Sequence, residues 1–287
     1  MSLGKSGMGS VVVLETGTEG VVPEREVLVH GSPIMGNGCL VRPPEHVQEQ
    51  QLFTGERATY SIFHVTHNNL TPRLISEMVA LQDQICGIQA PDPTNPLDYK
   101  TMDEFEAHFQ QGHDALIIVV NDQLVGTCLL SSQQEDSITA AFLEANGVEG
   151  APNALKVGFL AIDPVFRKNM LANSLLAQAE VMAEQQGKDA LIAGARLWNK
   201  GALKRFSESG FVGVSVGENA KDGSLVLSMA RAVNDRPHFD TIRGWNKLMN
   251  DPLDRVDELQ GDLSKGNVAY WHQAGDALAI YPLAEST

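Results

Sequence analysis

The segment Val157–Phe211 constrains this chain more than any other part of its sequence. A β-rich run, Val157–Ile162, is closed by Asp163–Pro164, and a short basic loop, Phe166–Arg167–Lys168–Asn169–Met170, leads straight into a helix. That helix, Leu171–Gln186, aligns Leu171, Leu175, Ala179, Met182 and Ala183 in one apolar stripe, with Gly187 at its stop. The pattern then predicts a strand at Ala190–Ala195 and a helix at Asn199–Ser209 ending at Gly210. A loop that passes at once from strand to helix can aim several backbone N–H groups, and the positive end of the helix dipole, at one spot. The natural occupant is an anion, above all a diphosphate. Arg167 and Lys168 add charge there. The loop lacks the glycines that let a backbone approach phosphate closely, so read alone it is an ordinary strand-to-helix turn with solvated basic residues.

Upstream, the texture changes near Tyr60. Residues 1–58 are rich in Gly, Pro, Glu and Gln, with short apolar runs at Val11–Leu14 and Val27–Val29. Met1–Ser10 reads as a flexible start, and Pro43–Pro44 with Gln48–Gln51 as a connecting arm. Tyr60–Val65 is β-rich; Thr71–Pro72 then opens a helix as cap and first-turn proline, running to Cys86 with Leu74, Met78, Leu81 and Ile85 on one face. Gln89–Leu97, with three prolines, is an irregular loop. Thr101–Met102–Asp103–Glu104 is a capping box for a short helix. Ala115–Val120 and Leu124–Leu130 flank Asn121–Asp122–Gln123 and read as an antiparallel hairpin. A polar loop follows, Ser131 to Asn153. Phe211–Val216 and Leu225–Met229 are strands. After Ala232 the chain predicts helices at Phe239–Met249 and Leu253–Leu263 and a strand at Asp276–Tyr281, a tail too small to stand as an independent domain.

Two residue patterns now coincide. The first is Ile162–Asp163–Pro164, then Arg167, then Met170 and the small Ala172, then Leu175–Leu176. The second is Asn199, Ala202, Phe206, Gly210 and Phe211. In both, over about Tyr60 to Arg231, the chain resembles the GNAT acetyltransferase superfamily. Met170 stands where the first pattern has glycine, and Phe206 where the second has tyrosine.

The resemblance implies an α/β (α+β) fold: a mixed, twisted sheet with splayed central strands, flanked by helices, plus N- and C-terminal extensions. The corresponding division is an extension at 1–58, a GNAT-like domain at 59–232 and an extension at 233–287 that packs on the core. It implies that the pantetheine arm of acetyl-CoA lies between the splayed strands, bonded to the backbone of Leu160, Ala161 and Ile162. The diphosphate would sit on Arg167, Lys168, Asn169, Met170, Leu171 and Ala172. Asn199, Ala202 and Phe206 would flank the pantetheine and thiol end. The implied activity moves an acetyl or other acyl group from CoA to an amine of a small molecule or peptide, with the acceptor entering near the first helices. The alternative is a GNAT-like module that binds CoA or a protein partner without transferring anything. Homodimers are a family habit.

In many members a tyrosine on the later helix protonates the departing sulfur; Phe206 cannot donate a proton. Ser207 is a poor substitute, because adjacent helical positions point about 100° apart. No acid lies within Lys156–Ile162 to serve as base, so His64, His67, Glu77 and Asp83 are the candidates, and the catalytic residues stay unassigned. A plain dinucleotide-binding fold is disfavoured, since no G-x-G-x-x-G follows a strand. His108 and His113 are five apart and share no helical face, so no metal site is predicted.

Charge and cysteine content bound the rest. Lys+Arg 21 against Asp+Glu 36 leave −15, which argues against nucleic acid and anionic membrane as partners. Between Lys156 and Arg205, eight basic residues (Lys156, Arg167, Lys168, Lys188, Arg196, Lys200, Lys204, Arg205) face only four acids, a positive island where the motifs place a phosphate-rich cofactor. Three widely spaced cysteines without a C-x-x-C pair point to a reducing compartment, and no apolar run reaches the ~20 residues that span a bilayer. A soluble, cytoplasmic protein is the expectation.

Overall fold

The computed structural model describes residues 46–51, 57–87, 96–134, 153–219, 221–233, 247–272 and 277–281. The readings for Met1–Ser10, Val11–Leu14, Val27–Val29, most of the proline-rich loop and most of the polar loop lie outside these residues.

Among the described residues, eleven strands form one mixed sheet: β1 (His46–Gln51), β2 (Arg57–Val65), β3 (Asp114–Val120), β4 (Gln123–Gln134), β5 (Asn153–Ile162), β6 (Ala190–Arg196), β7 (Val212–Glu218), β8 (Leu225–Ala232), β9 (Lys247–Met249), β10 (Val268–His272) and β11 (Ala277–Tyr281). Their order is β1-β2-β3-β4-β5-β6-β8-β7-β10-β11-β9. Helices α1 (Pro72–Cys86) and α2 (Met102–Gln110) cover one face. Helices α3 (Leu171–Gln185), α4 (Lys200–Glu208) and α5 (Val256–Leu263) cover the other.

Strand β3 shows why its sequence is apolar throughout. Leu116, Ile118 and Val120 pack toward α3, and Ala115, Ile117 and Val119 toward α1 and α2, so both faces are buried. The hairpin after β3 turns on Asn121 and Asp122, at φ 49° and 61°, the left-handed pair that matches strand twist. Helix α1 starts as its cap predicts, with the Leu74 N–H donating to Thr71 Oγ1 at 3.2 Å. Helix α2 closes its capping box, with Thr101 N–H donating to Glu104 Oε2 at 2.8 Å.

Three expectations are corrected. Gln48–Gln51 is no connecting arm but part of β1, paired antiparallel to β2; its polar sequence hid a strand whose order comes from that partner. The strand expected from Val157 begins at Asn153, which pairs with Gln134 of β4, and meets β6 from Ala154 onward. Within Phe239–Met249, the described residues Lys247–Met249 are strand β9 rather than helix, because they extend the sheet beside β11.

The C-terminal segment adds β10, β11 and β9 beyond β7. Strand β10 meets β7 at Ala269–Gly213, and α5 buries Leu259 and Leu263 in the same core as Trp271. Two contacts tie this segment to α4: the Trp271 N–H donates to the buried Ser207 Oγ at 3.0 Å, and Lys200 Nζ stands 5.9 Å from the Trp271 ring. No helix among the described residues is long and apolar enough to cross a membrane.

Candidate functional site

Strands β5 and β6 run parallel and pair only from Ala154–Ala190 to Val157–Ala193. Beyond that point β6 continues against β8, as far as Arg196–Val226, while β5 continues against β4, as far as Ile162–Gly126. The two strands therefore separate, and the β6-side edge of Gly158–Ile162 has no strand partner among the described residues. A bulge helps turn β5 away. Its register with β4 shifts between Thr127 and Leu129, and Phe159 takes φ 48°, which a phenylalanine adopts only under strain. The Phe159 ring is held edge-on against Phe105 of α2, with centroids 5.1 Å apart. Leu160 and Ile162 remain half-buried on the α3 side, and Ala161 is buried under α1.

The lip of this cleft is built on Asp163. Its N–H donates to Val125 O at 2.8 Å, and its Oδ1 accepts from Val165 N–H at 2.8 Å and Gln84 Nε2 at 3.2 Å. The buried Asn169 side chain donates to Phe166 O at 3.0 Å and Arg167 O at 3.4 Å, which folds the loop on itself. Lys168 and Met170, on either side of Asn169, stand at φ 69° and 60°. Left-handed residues in such a turn bring successive N–H groups toward one side. Met170 is the N-cap of α3 and supplies no side-chain cap, so the first-turn N–H groups of Leu171 and Ala172 face the loop with the helix dipole behind them. Met170 thus holds the left-handed conformation that glycine gives freely. Arg167 and Lys168 are exposed here, and Arg167 Nε donates to Ile162 O at 3.4 Å.

Across the gap, Asn199 caps α4, its Oδ1 accepting from Ala202 N–H at 3.1 Å while its Nδ2 donates to Pro96 O at 3.3 Å. Ala202 is half-buried; Phe206 is 4 % exposed and packs edge-on against Phe211 in the core. The structure therefore gathers 160–162 and 167–172 on one side of the cleft and Asn199 with Ala202 at the start of α4, while Phe206 serves packing. Ser207 is occupied by Trp271.

The positive island disperses. Arg196 is buried against Asp222, Lys188 donates to Asn153, Lys200 stands over Trp271 and Arg205 pairs with Glu208. Folding sends most of these side chains to different elements and leaves Arg167 and Lys168 on the loop itself. Arg205 does reach its rim: Nη1 donates to Asn173 Oδ1 at 2.7 Å and lies 3.9 Å from Met170 Sδ.

Residues 82–211 match the acetyltransferase (GNAT) family. That match supports GNAT superfamily membership for this part of the chain. Among solved structures, it is similar to an N-acetyltransferase from Staphylococcus aureus Mu50 (14% identity, TM-score 0.43, 60% of this chain and 99% of that one). It is also similar to the ribosomal-protein-S18-alanine N-acetyltransferase from Escherichia coli (11% identity, TM-score 0.42, 61% and 94%). A third is a Salmonella typhimurium protein solved with its cofactor acetyl-CoA (13% identity, TM-score 0.43, 63% and 98%). Those scores are too low to carry an argument, and the comparison with curated proteins gave no match. GNAT membership supports acyl transfer from CoA as the general chemistry, with acetyl-CoA as the family's donor.

The four base candidates separate clearly. His64 Nε2 lies 3.0 Å from Asp114 Oδ2 on β2, three strand positions from β5. His67 is exposed in a 3-10 turn. Glu77 accepts from Arg73 at 2.9 Å and lines a shallow pocket of about 260 Å³ with Gln84 and Asp122. Asp83 alone stands on the last turn of α1 beside the segment 96–100. No local motif marks that segment, because its contacts are with residues far away in the chain.

Proposed function

We propose that the protein is an N-acyltransferase that moves an acetyl or other acyl group from CoA to an amine of a small molecule or peptide, with its transferase domain at 59–232. The observation that carries this reading is the parallel β5–β6 ladder that stops at Val157–Ala193 and opens onto an uncapped helix start. An unpaired β-edge and a turn with left-handed residues fit the two polar parts of acetyl-CoA, its amide-bearing arm and its diphosphate.

In this reading the backbone of Leu160, Ala161 and Ile162 bonds the pantetheine arm. Arg167, Lys168, Asn169, Met170, Leu171 and Ala172 hold the diphosphate by charge, main-chain N–H groups and the helix dipole. Asn199 and Ala202 form the opposite wall. Acetyl-CoA supplies an acyl group already activated as a thioester. The protein's part is to orient it, to polarise its carbonyl with preorganised N–H groups, and to keep the attacking amine neutral. Phe206 supplies no proton.

The buried Phe206 also favours a second reading, a GNAT-like CoA-binding module without transferase activity. Thermal unfolding with acetyl-CoA, NAD and ATP tests the shared premise. At 100 times Kd a ligand stabilises by about 2.7 kcal/mol, and only CoA esters should shift the midpoint. Arg167→Glu should abolish that shift; a wild-type protein with no shift refutes both readings. Free-thiol release across an amine panel then separates transferase from module.

A further inference from the structure

The last turn of α1 spans the cleft mouth on the face opposite α3. Gln84 reaches the β5 lip at Asp163, and Cys86 lies within electrostatic reach of Arg196 at the end of β6, its thiol pushed up by burial. The segment 96–100 is fixed beneath that turn by four side-chain bonds. Asn199 Nδ2 donates to Pro96 O at 3.3 Å, and Arg196 Nη2 to Leu97 O at 3.5 Å. Gln82, fully buried, grips Lys100 from both sides, its Nε2 donating to Lys100 O at 2.8 Å and its Oε1 accepting from Lys100 N–H at 2.7 Å. Tyr99 is held between these anchors, and its hydroxyl donates to Asp83 Oδ1 at 3.2 Å.

Three acidic side chains near the segment 96–100 have cations beside them. Asp222 pairs with Arg196, Glu104 with Lys221, and Asp98 lies 3.9–4.0 Å from Lys221 and Lys100. Among the described residues no cation pairs with Asp83, and its Oδ2 has no partner. A half-buried carboxylate with one oxygen fixed by a tyrosine and the other unpaired is a receptor for an ammonium group. Resting on the acyltransferase reading above, we infer that Asp83, oriented by Tyr99, docks the acceptor, and that the acceptor is therefore a cationic primary or secondary amine rather than a neutral arylamine or a hydroxyl. Asp83 holds the ammonium at the cleft mouth, on the face of β5 opposite α3; its proton passes to water, and the neutral amine then attacks the thioester carbonyl and displaces the CoA thiolate. Tyr99 is a positioning residue: it fixes one carboxylate oxygen so that the other faces the incoming amine.

The test uses the full chain with acetyl-CoA and four acceptors: spermidine, L-lysine amide, a tripeptide with a free N-terminus, and aniline. Asp83→Asn should leave the acetyl-CoA thermal shift and the KM for acetyl-CoA unchanged, and raise the KM for the preferred cationic amine by about 10-fold or more, as loss of a charged hydrogen bond implies. Tyr99→Phe should raise the amine KM by roughly 3-fold with kcat unchanged, since only orientation is lost. Calorimetry of the preferred cationic amine into CoA-saturated protein should show the same ranking without turnover. An unchanged amine KM in Asp83→Asn overturns the inference, as does a wild type that binds acetyl-CoA yet acylates aniline best or no cationic amine at all. Absence of any acetyl-CoA shift instead sinks the acyltransferase reading beneath it.

Discussion

Replacing Arg196 with methionine should cost more than any surface change, and the loss should depend on pH. The Arg196 side chain is 6 % exposed and ends β6. Its Nη1 donates to Ser224 Oγ and its Nη2 to Asp222 Oδ2, both at 2.5 Å, with Leu97 O at 3.5 Å. Burial pushes the Asp222 carboxyl up, but the hydrogen bonds from Arg196 and Ser224 outweigh it and bring the pKa from 3.8 down to about 2. A downward shift of that size corresponds to about 2 kcal/mol of native-state preference for the charged form, and breaking a buried pair by removing one partner reaches about 3–5 kcal/mol. Methionine retains the apolar stem, so a loss of about 2–4 kcal/mol is expected, or roughly 4–7 °C in Tm for a chain of this length. A depressed carboxylate stabilises above its unfolded pKa and stops doing so as pH falls through the folded one. The gap between wild type and Arg196→Met should therefore be full at pH 7 and 5, narrow below pH 3.8 and nearly close near pH 2. Adding Asp222→Leu should restore part of the loss, because it removes the stranded charge. Urea denaturation of all three proteins at pH 7, 5 and 3 decides it. A gap under about 1 kcal/mol at pH 7, a gap that widens on acidification, or no recovery in the double variant refutes the reasoning.

Two further outcomes follow from the same geometry. Met170→Gly removes a left-handed non-glycine residue worth about 1–2 kcal/mol of strain but adds chain entropy of about 0.5–1 kcal/mol, so stability should change by less than about 1 kcal/mol; calorimetry should then show tighter acetyl-CoA binding, and weaker binding would mean the methionine side chain is itself a contact. Ser207→Ala strands the buried Trp271 N–H and should cost about 1–3 kcal/mol in denaturant unfolding, with α4 loosened from the C-terminal strands; an unchanged midpoint would mean β10 does not depend on that bond.

What the sequence made legible was whatever neighbouring residues encode together. The Thr71–Pro72 start, the Thr101–Glu104 box, the Asn121–Asp122 turn and the apolar run of β3 each act within a few residues, and each predicted element stands. Strand β1 was illegible because HVQEQQ carries no apolar alternation; it is a strand by pairing with β2. Strand β10 was missed for a related reason, since its five residues are ordered by β11 on one side and by β7 on the other. The dispersal of the basic island belongs to the same class. Eight cations close in sequence suggest a local positive island, but helices and strands in alternation send neighbouring side chains to opposite faces of a sheet.

The two sides of the candidate site differ in legibility for a physical reason. The donor side is built from the backbone of one continuous stretch, Gly158–Ala172, so its pattern survives as a motif even where side chains depart from it. Met170 shows this directly: it takes φ 60° as glycine would, so the departure leaves the backbone course of the loop intact. Phe206 differs, because the role in doubt there is a side-chain role, and its ring lies packed against Phe211. The proposed acceptor side comprises Gln82, Asp83, Pro96–Lys100, Arg196 and Asn199, joined by bonds that cross up to 103 residues of chain. No spacing in the sequence connects those positions. In the proposed site the acceptor is selected by such long-range contacts, which is why the donor side is readable as a motif and the acceptor side only from the folded side chains.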